Sequence, residues 1–244
     1  IVNLRVFKDF NFVIGTILGI VINMMVCATM ILLPQFYQSL MHYTASDTGT
    51  ALATRVFAVV ILFVIGKICN LYDVRYVIAT GFLLLGISIA LCVDLNLQVN
   101  SEWIVLSNIL FGIGSATALV PVSGIALGSL PKDQIPSGAG IHSLSKCVTG
   151  SIATSLASSW IISLSQVHQT YLVKNMSIYS YNFMAHFNAL KSAFLHHGEA
   201  IIAAKKANIV LYKQLLVQSK LMAISDLFLL CAILTFLMIP LVVL

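Results

Sequence analysis

Residues 103–130 read WIVLSNILFGIGSATALVPVSGIALGSL, a run without one charged side chain. About 20 apolar residues carry a helix across the roughly 30 Å of a bilayer's hydrocarbon. This run is long enough to tilt, or to bend at Pro121, whose ring removes one backbone hydrogen bond. The same signature recurs on either side, over residues 12–33, 48–69, 76–93, 139–164 and 221–244. Six such stretches predict an all-α membrane protein, a six-transmembrane-helix bundle occupying residues 1–244, with a polar outer loop over 166–220.

Composition supports that class. Apolar residues make up 59% of the chain and charged residues 9%, against roughly 45–50% and 25% in soluble domains. So little charge cannot cover a water-facing surface, and a mean hydropathy of +1.00 spread over several runs excludes a single anchor. The net charge of +5 is scattered between apolar runs, not gathered on one polar face, so nucleic acid is not expected as a partner. Cys27, Cys69, Cys92, Cys147 and Cys231 show no CxxC spacing. His186, His196 and His197 lie in a polar segment without cysteine or carboxylate at ligand spacing, so neither a metal nor another cofactor is expected. The opening IVNLRVFKDF lacks the features of a signal peptide and reads as a cut inside a longer chain.

Arg5, Lys8, Lys67, Arg75 and Lys132 fall on one side of a six-span arrangement. The first two connections on the other side carry no Lys or Arg, which predicts that the charged side is cytoplasmic, with both ends inside the cell membrane. The polar segment 166–220 opposes this with Lys174, Lys191, Lys205, Lys206, Lys213 and Lys220. The short connections are several and consistent, and they set the expectation. The second half of that segment, GEAIIAAKKANIVLYKQLLVQ, has helical character and is expected to extend the last span.

Charge inside the apolar runs is the sharpest pointer to function, because an intramembrane cation costs roughly 2.5–3.5 kcal/mol on insertion scales unless it faces protein or water. Arg55 in the second run and Lys146 in the fifth are expected to face a central cavity or a partner group, and Asp226 in the last run is a candidate partner for either. Asn108 and Ser115, with Thr117, Ser123 and Pro121, give the fourth run a polar side suited to a cavity wall.

Several stretches, taken in order, resemble the major facilitator superfamily. GKICNLYDVRYVIATG (66–81) resembles the loop that recurs between helices in these transporters, with Gly66, Asp73 and Arg75 at its Gly, Asp and Arg positions and Lys67 beside them. ILLPQFYQSLMHYTASDTGTAL (31–52), ILFGIGSATALVPVSGIALGSLP (109–131), SGAGIHSLSKCVTGSIATSL (137–156) and QSKLMAISDLFLLCAILTFLMIPLVVL (218–244) resemble segments of fourteen-helix drug:proton antiporters of the EmrB/QacA type. The order corresponds to the last six of those helices. The resemblance implies a C-terminal bundle that exports amphipathic organic compounds in exchange for protons, by alternating access against an N-terminal bundle, in contact with membrane lipid. It implies a cytoplasmic gate loop at Gly66, Lys67, Asp73 and Arg75. His142 replaces an Asn-type position, Lys146 stands for an Arg, and Val148-Thr149 replaces Leu-Gly, so the substrate stays open.

Two other classes compete. A half-bundle can serve as a non-transporting scaffold or assembly subunit, and Ser123-Gly124 with His142 raises an intramembrane serine protease, although no oxyanion motif accompanies them. Neither carries the ordered resemblance, so the chain is not expected to be an enzyme. The topology has a direct check: cysteines placed at Ser101 and Lys132 should react with impermeant reagents from opposite faces, Ser101 from outside. Labelling of both from one face refutes it.

Overall fold

The computed structural model describes residues 4–57, 73–96, 99, 101–175, 181–195 and 200–243, and every regular element among them is helical. The chain is an all-α membrane bundle. Its helices are α1 (Phe10–Ser39), α2 (Ala45–Ala53), α3 (Val74–Leu91), α4 (Ser101–Gly128), α5 (Ile135–Asn175), α6 (Tyr181–Leu195), α7 (Ala200–Leu237) and α8 (Ile239–Val243), with 3₁₀ turns at Leu4–Lys8 and Thr54–Phe57.

Five stretches among the described residues are long and apolar enough to cross a bilayer: Phe10–Ser39, Val74–Leu91, Glu102–Gly128, Ile135–Lys174 and Ile201–Val242. Five of the six expected spans overlap them, two lying wholly inside and three running about two residues past an end. The sixth, 48–69, begins in α2 and the following 3₁₀ turn, and the rest of it lies outside the described residues, as do Gly66 and Lys67.

Local chemistry sets the helix ends. The Asp9 carboxylate accepts from the Asn11 amide at 3.1 Å and starts α1. Pro34 lies inside α1, which nevertheless continues to Ser39. A capping box begins α2: the Thr44 hydroxyl accepts from the Asp47 amide at 3.2 Å, and the Asp47 carboxylate accepts from the Thr44 amide at 3.3 Å. Between them His42 takes a left-handed φ of 56°, which turns the chain from α1 into α2.

The chain divides into two compact units. The first comprises residues 1–158 and 225–244. Within it α4 is the central helix, packed against α1, α3 and the 3₁₀ turn that carries Arg55. Helices in lipid gain no hydrophobic drive from each other, so close backbone approach and polar cross-links must hold them. Both occur between α3 and α4. A Cβ on Gly81 would stand 2.6 Å from the Ala118 amide nitrogen, and one on Gly114 would stand 2.5 Å from that of Leu85. The Ser88 hydroxyl donates to the Ser107 carbonyl at 2.8 Å, and Ser107 returns a bond to the Ser88 carbonyl at 3.2 Å. Of the glycine pairs spaced four apart, Gly15 and Gly19 are packed, against Ala126 and His142, whereas Gly124 and Gly128 face open space. Leu83, Ile87, Leu106, Leu144 and Ile152 are exposed, the outward apolar face that hydrocarbon solvates.

The second unit, residues 159–224, contains the end of α5, all of α6 and the start of α7. The segment 166–220, read as a loop with a helical extension, is helical wherever it is described. A seam of Ala203, Ala207, Leu211, Leu215 and Ser219, buried at four-residue steps, gives this stretch of α7 a packing face. The Gln169 amide donates to the Tyr212 hydroxyl at 3.1 Å, and the Ser165 and Ser219 hydroxyls lie 3.4 Å apart.

The α3/α4 crossing has no room for a side chain. Gly114→Leu should therefore lower stability by about 2–3 kcal/mol or prevent folding, whereas Gly124→Leu, facing open space, should change little. Thermal unfolding in detergent distinguishes them; equal midpoints would refute the packing argument.

Candidate functional site

Polar groups inside the first unit gather at two places, each built on α1. The first surrounds Arg55. After Ala53 the backbone tightens from α-helix to a 3₁₀ turn over Thr54–Phe57, which presents the guanidinium toward α4 and α1. Its Nε donates to the Asn108 side-chain oxygen at 2.8 Å, and its Nη1 lies 3.5 Å from the Thr29 hydroxyl. The guanidinium carbon sits 4.1 Å from the centroid of the Phe111 ring. Asn108, only 1% exposed, is fully engaged, since its Nδ2 donates to the Tyr37 hydroxyl at 3.2 Å and to the Ile104 carbonyl at 2.9 Å. Tyr37 stacks in turn on Tyr43.

Magnitudes explain why this cation is tolerated. A hydrogen bond to a charged group contributes about 1.5–3 kcal/mol, and a desolvated cation over an aromatic face about 2 kcal/mol. Together these offset an insertion cost of roughly 2.5–3.5 kcal/mol without any carboxylate.

The second place is the contact between α1 and α5. It forms a parallel ladder with four-residue steps: Gly19 meets His142, Asn23 meets Lys146, and Cys27 meets Gly150. The Asn23 Nδ2 donates to the Lys146 carbonyl at 2.7 Å, tying the two helices together. The Lys146 ammonium donates to the Ser123 hydroxyl on α4 at 3.2 Å. The Ser123 hydroxyl donates to the Leu119 carbonyl at 2.9 Å. His142 is 4% exposed, and neither ring nitrogen has a hydrogen-bond partner. Ser123 and His142 are therefore not hydrogen-bonded to one another, and the arrangement lacks the contact that a serine–histidine dyad requires.

The remaining expected residues are dispersed. Ser115 bonds back to the Gly112 carbonyl of its own helix at 3.0 Å, and Pro121 is buried within α4. Asp226, considered as a partner for Arg55 or Lys146, is exposed on α7; both cations take neutral side-chain partners among the described residues. Asp73 occupies the N-cap of α3 without a side-chain cap bond, and Arg75 is exposed at the rim of a pocket lined by Phe10, Asn11, Ile78, Val122 and Leu241. Tyr37, Thr29, Phe111 and Asn23 were not singled out from sequence. Tyr37 stands inside a quoted stretch, PQFYQ, and Asn23 is a lone amide in a very apolar run; the other two carry no sequence signal.

No known family model matches the chain. It is 24% identical over 241 residues to the colistin resistance protein EmrB of Acinetobacter baumannii, covering 97% of this chain and 46% of that protein. It is 23% identical over 205 residues to the multidrug export protein EmrB of Escherichia coli (strain K12), covering 82% and 40% respectively. It is 28% identical over 181 residues to an uncharacterized transporter of the same superfamily, YcnB of Bacillus subtilis, covering 73% and 38%. The chain thus spans less than half the length of these relatives. They bear out the resemblance to EmrB-type exporters.

The Arg55 geometry makes Asn108 its principal anchor. Asn108→Leu should cost about 2 kcal/mol, by leaving a buried charge without its strongest acceptor, and Tyr37→Phe should cost less. Chemical or thermal unfolding in detergent reads both; an unaffected Asn108→Leu variant would show that the guanidinium is held by other groups.

Proposed function

We propose that this chain is the C-terminal six-helix bundle of a proton-coupled exporter of amphipathic organic compounds, seated in the cell (inner) membrane with both ends cytoplasmic. The observation that carries the reading is a polar interior built around two cations, Arg55 and Lys146, that the chain holds with neutral partners. A scaffold helix has no reason to keep charge in hydrocarbon, where each cation costs several kcal/mol to insert. A transport cavity has one, because polar groups there meet water and substrate.

Its relatives are exporters, and the chain spans less than half their length, which supports a second bundle as its working partner. Transporters of this architecture bind substrate near the midplane between two bundles and expose the site alternately to either side as the bundles rock. In this reading Arg55, Asn108, Ser115, Pro121, Lys146 and Asp226 belong to this bundle's share of the cavity and its walls. Gly66, Lys67, Asp73 and Arg75 form the cytoplasmic gate, where charged contacts between helix ends open and close with the cycle. Protons drive the cycle, chiefly through carboxylates of the partner bundle.

Reconstitution in liposomes with an imposed proton gradient tests this. The chain joined to the eight upstream helices of its transporter should export a fluorescent amphiphile, and the chain alone should not. Arg55→Ala in the joined protein should slow export about tenfold, if the lost contacts amount to roughly 1.4 kcal/mol in the transport cycle. Proton-driven export by the chain alone would refute the half-transporter reading.

A further inference from the structure

We propose that Lys146 and His142 form an oxyanion site that takes the acidic head of an amphipathic molecule. The proposal rests on the exporter reading and narrows its substrate class.

The site has two unmet needs, and one ligand meets both. Lys146 lies eleven residues into α5, roughly 16 Å along the helix at about 1.5 Å per residue, inside the stretch long and apolar enough to cross a bilayer. Its ammonium carries three donors, and its only side-chain partner among the described residues is the neutral Ser123 hydroxyl. Nothing there supplies a counter-charge. One turn away, the His142 ring is 4% exposed with both nitrogens unpartnered. A neutral imidazole always presents one N–H donor, and an unsatisfied buried polar group costs about 1–3 kcal/mol. The two side chains are close: a point one bond from the Gly19 backbone is 3.6 Å from both His142 Nε2 and Lys146 Cε.

An oxyanion accepting from Lys146 Nζ and from a His142 N–H gives the lysine its counter-charge and the imidazole its acceptor at once. Among the described residues no carboxylate bonds to Lys146 for a cationic ligand to use, and a neutral ligand leaves the charge uncompensated. Lys146, Ser123 and Asn23 are half-buried, while His142 is buried. Asn23, committed to the Lys146 carbonyl, is a positioning residue that holds α5 in register with α1. Because the site lies within the membrane, the rest of the ligand must be apolar. An exported organic acid and an acidic lipid headgroup share this chemistry.

The test is equilibrium binding to the intact protein in nanodiscs, with dansyl-undecanoic acid as the probe and a dansyl alkylammonium of equal length as the cationic control. In phosphatidylcholine discs the carboxylate should bind at least about tenfold more tightly than the ammonium. Lys146→Gln should abolish that preference, Lys146→Arg should keep it, and His142→Gln should reduce it. Repeating the titration in phosphatidylglycerol discs separates the two sources. Undiminished probe binding assigns the site to a free organic acid, and displacement that requires Lys146 assigns it to the lipid headgroup. Equal affinity for carboxylate and ammonium in the unmutated protein, or an unchanged preference in Lys146→Gln, overturns the proposal. Binding needs neither gradient nor turnover, so this failure is separable from a failure of export.

Discussion

Hydrocarbon offers no hydrogen bonds, and every polar group placed in it must find its partner within the protein. The Arg55–Asn108 bond at 2.8 Å shows how this chain meets that constraint. One amide takes the guanidinium on its oxygen and spends both amide hydrogens on Tyr37 and the Ile104 carbonyl, so a charged group, a phenol and a helix backbone are satisfied together. The surrounding helices follow from the same rule. Glycines bring α3 against α4 closely enough for Ser88 and Ser107 to exchange hydroxyl-to-carbonyl bonds, and large apolar side chains such as Leu83, Ile87 and Leu106 are left exposed. The first unit is held by approach and polar cross-links, the terms that remain when hydrophobic drive is absent.

Five of the six spans were legible because the bilayer imposes a length and a composition on any helix that crosses it. Residues 103–130 announce themselves, and α4 follows them closely. Within the segment 166–220 the second half was legible, its Ala203–Ala207–Leu211–Leu215 seam lying in the stretch read as helical, whereas the helices that run to Asn175 and over Tyr181–Leu195 were hidden by Tyr, Asn, His and Lys that read as loop chemistry. Composition could show that Arg55 needed a partner. It could not show which, since the choice between Asn108 and a carboxylate depends on where a 3₁₀ turn aims the side chain. The quoted SGAGIHSLSKCVTG stretch held His142, Lys146 and Gly150 in plain view, but their counterparts Gly19, Asn23 and Cys27 lie more than a hundred positions away, at a distance no local pattern bridges.

Neutral anchoring has an electrostatic consequence. Replacing a carboxylate partner by Asn108 or Ser123 leaves the charge of each cation in place while removing the cost of burying a second ion, which in low dielectric often exceeds the attraction gained. The first unit therefore keeps a positive charge at both polar places. A paired carboxylate would have cancelled it.

Helix α1 links the two places. Tyr37 and Thr29 reach the Arg55–Asn108 group, while Gly19 and Asn23 face His142 and Lys146. Asn23 and Thr29 are six residues apart, roughly 9 Å along a helix, and α1 is continuous between them despite Pro34 further on. Geometry then restricts how the helix can move. Sliding α1 by a fraction of a turn breaks the bond from Asn23 to the Lys146 carbonyl and pulls Tyr37 from Asn108 in the same step, because both donors and acceptors are good only to within a few tenths of an ångström. Rotation drives Gly19 out of the space beside the His142 ring and carries the next side chain into it, since a Cβ there would already lie 2.9 Å from the ring. The low-cost motion left to α1 is one shared with α4 and α5, a movement of the packed helices together.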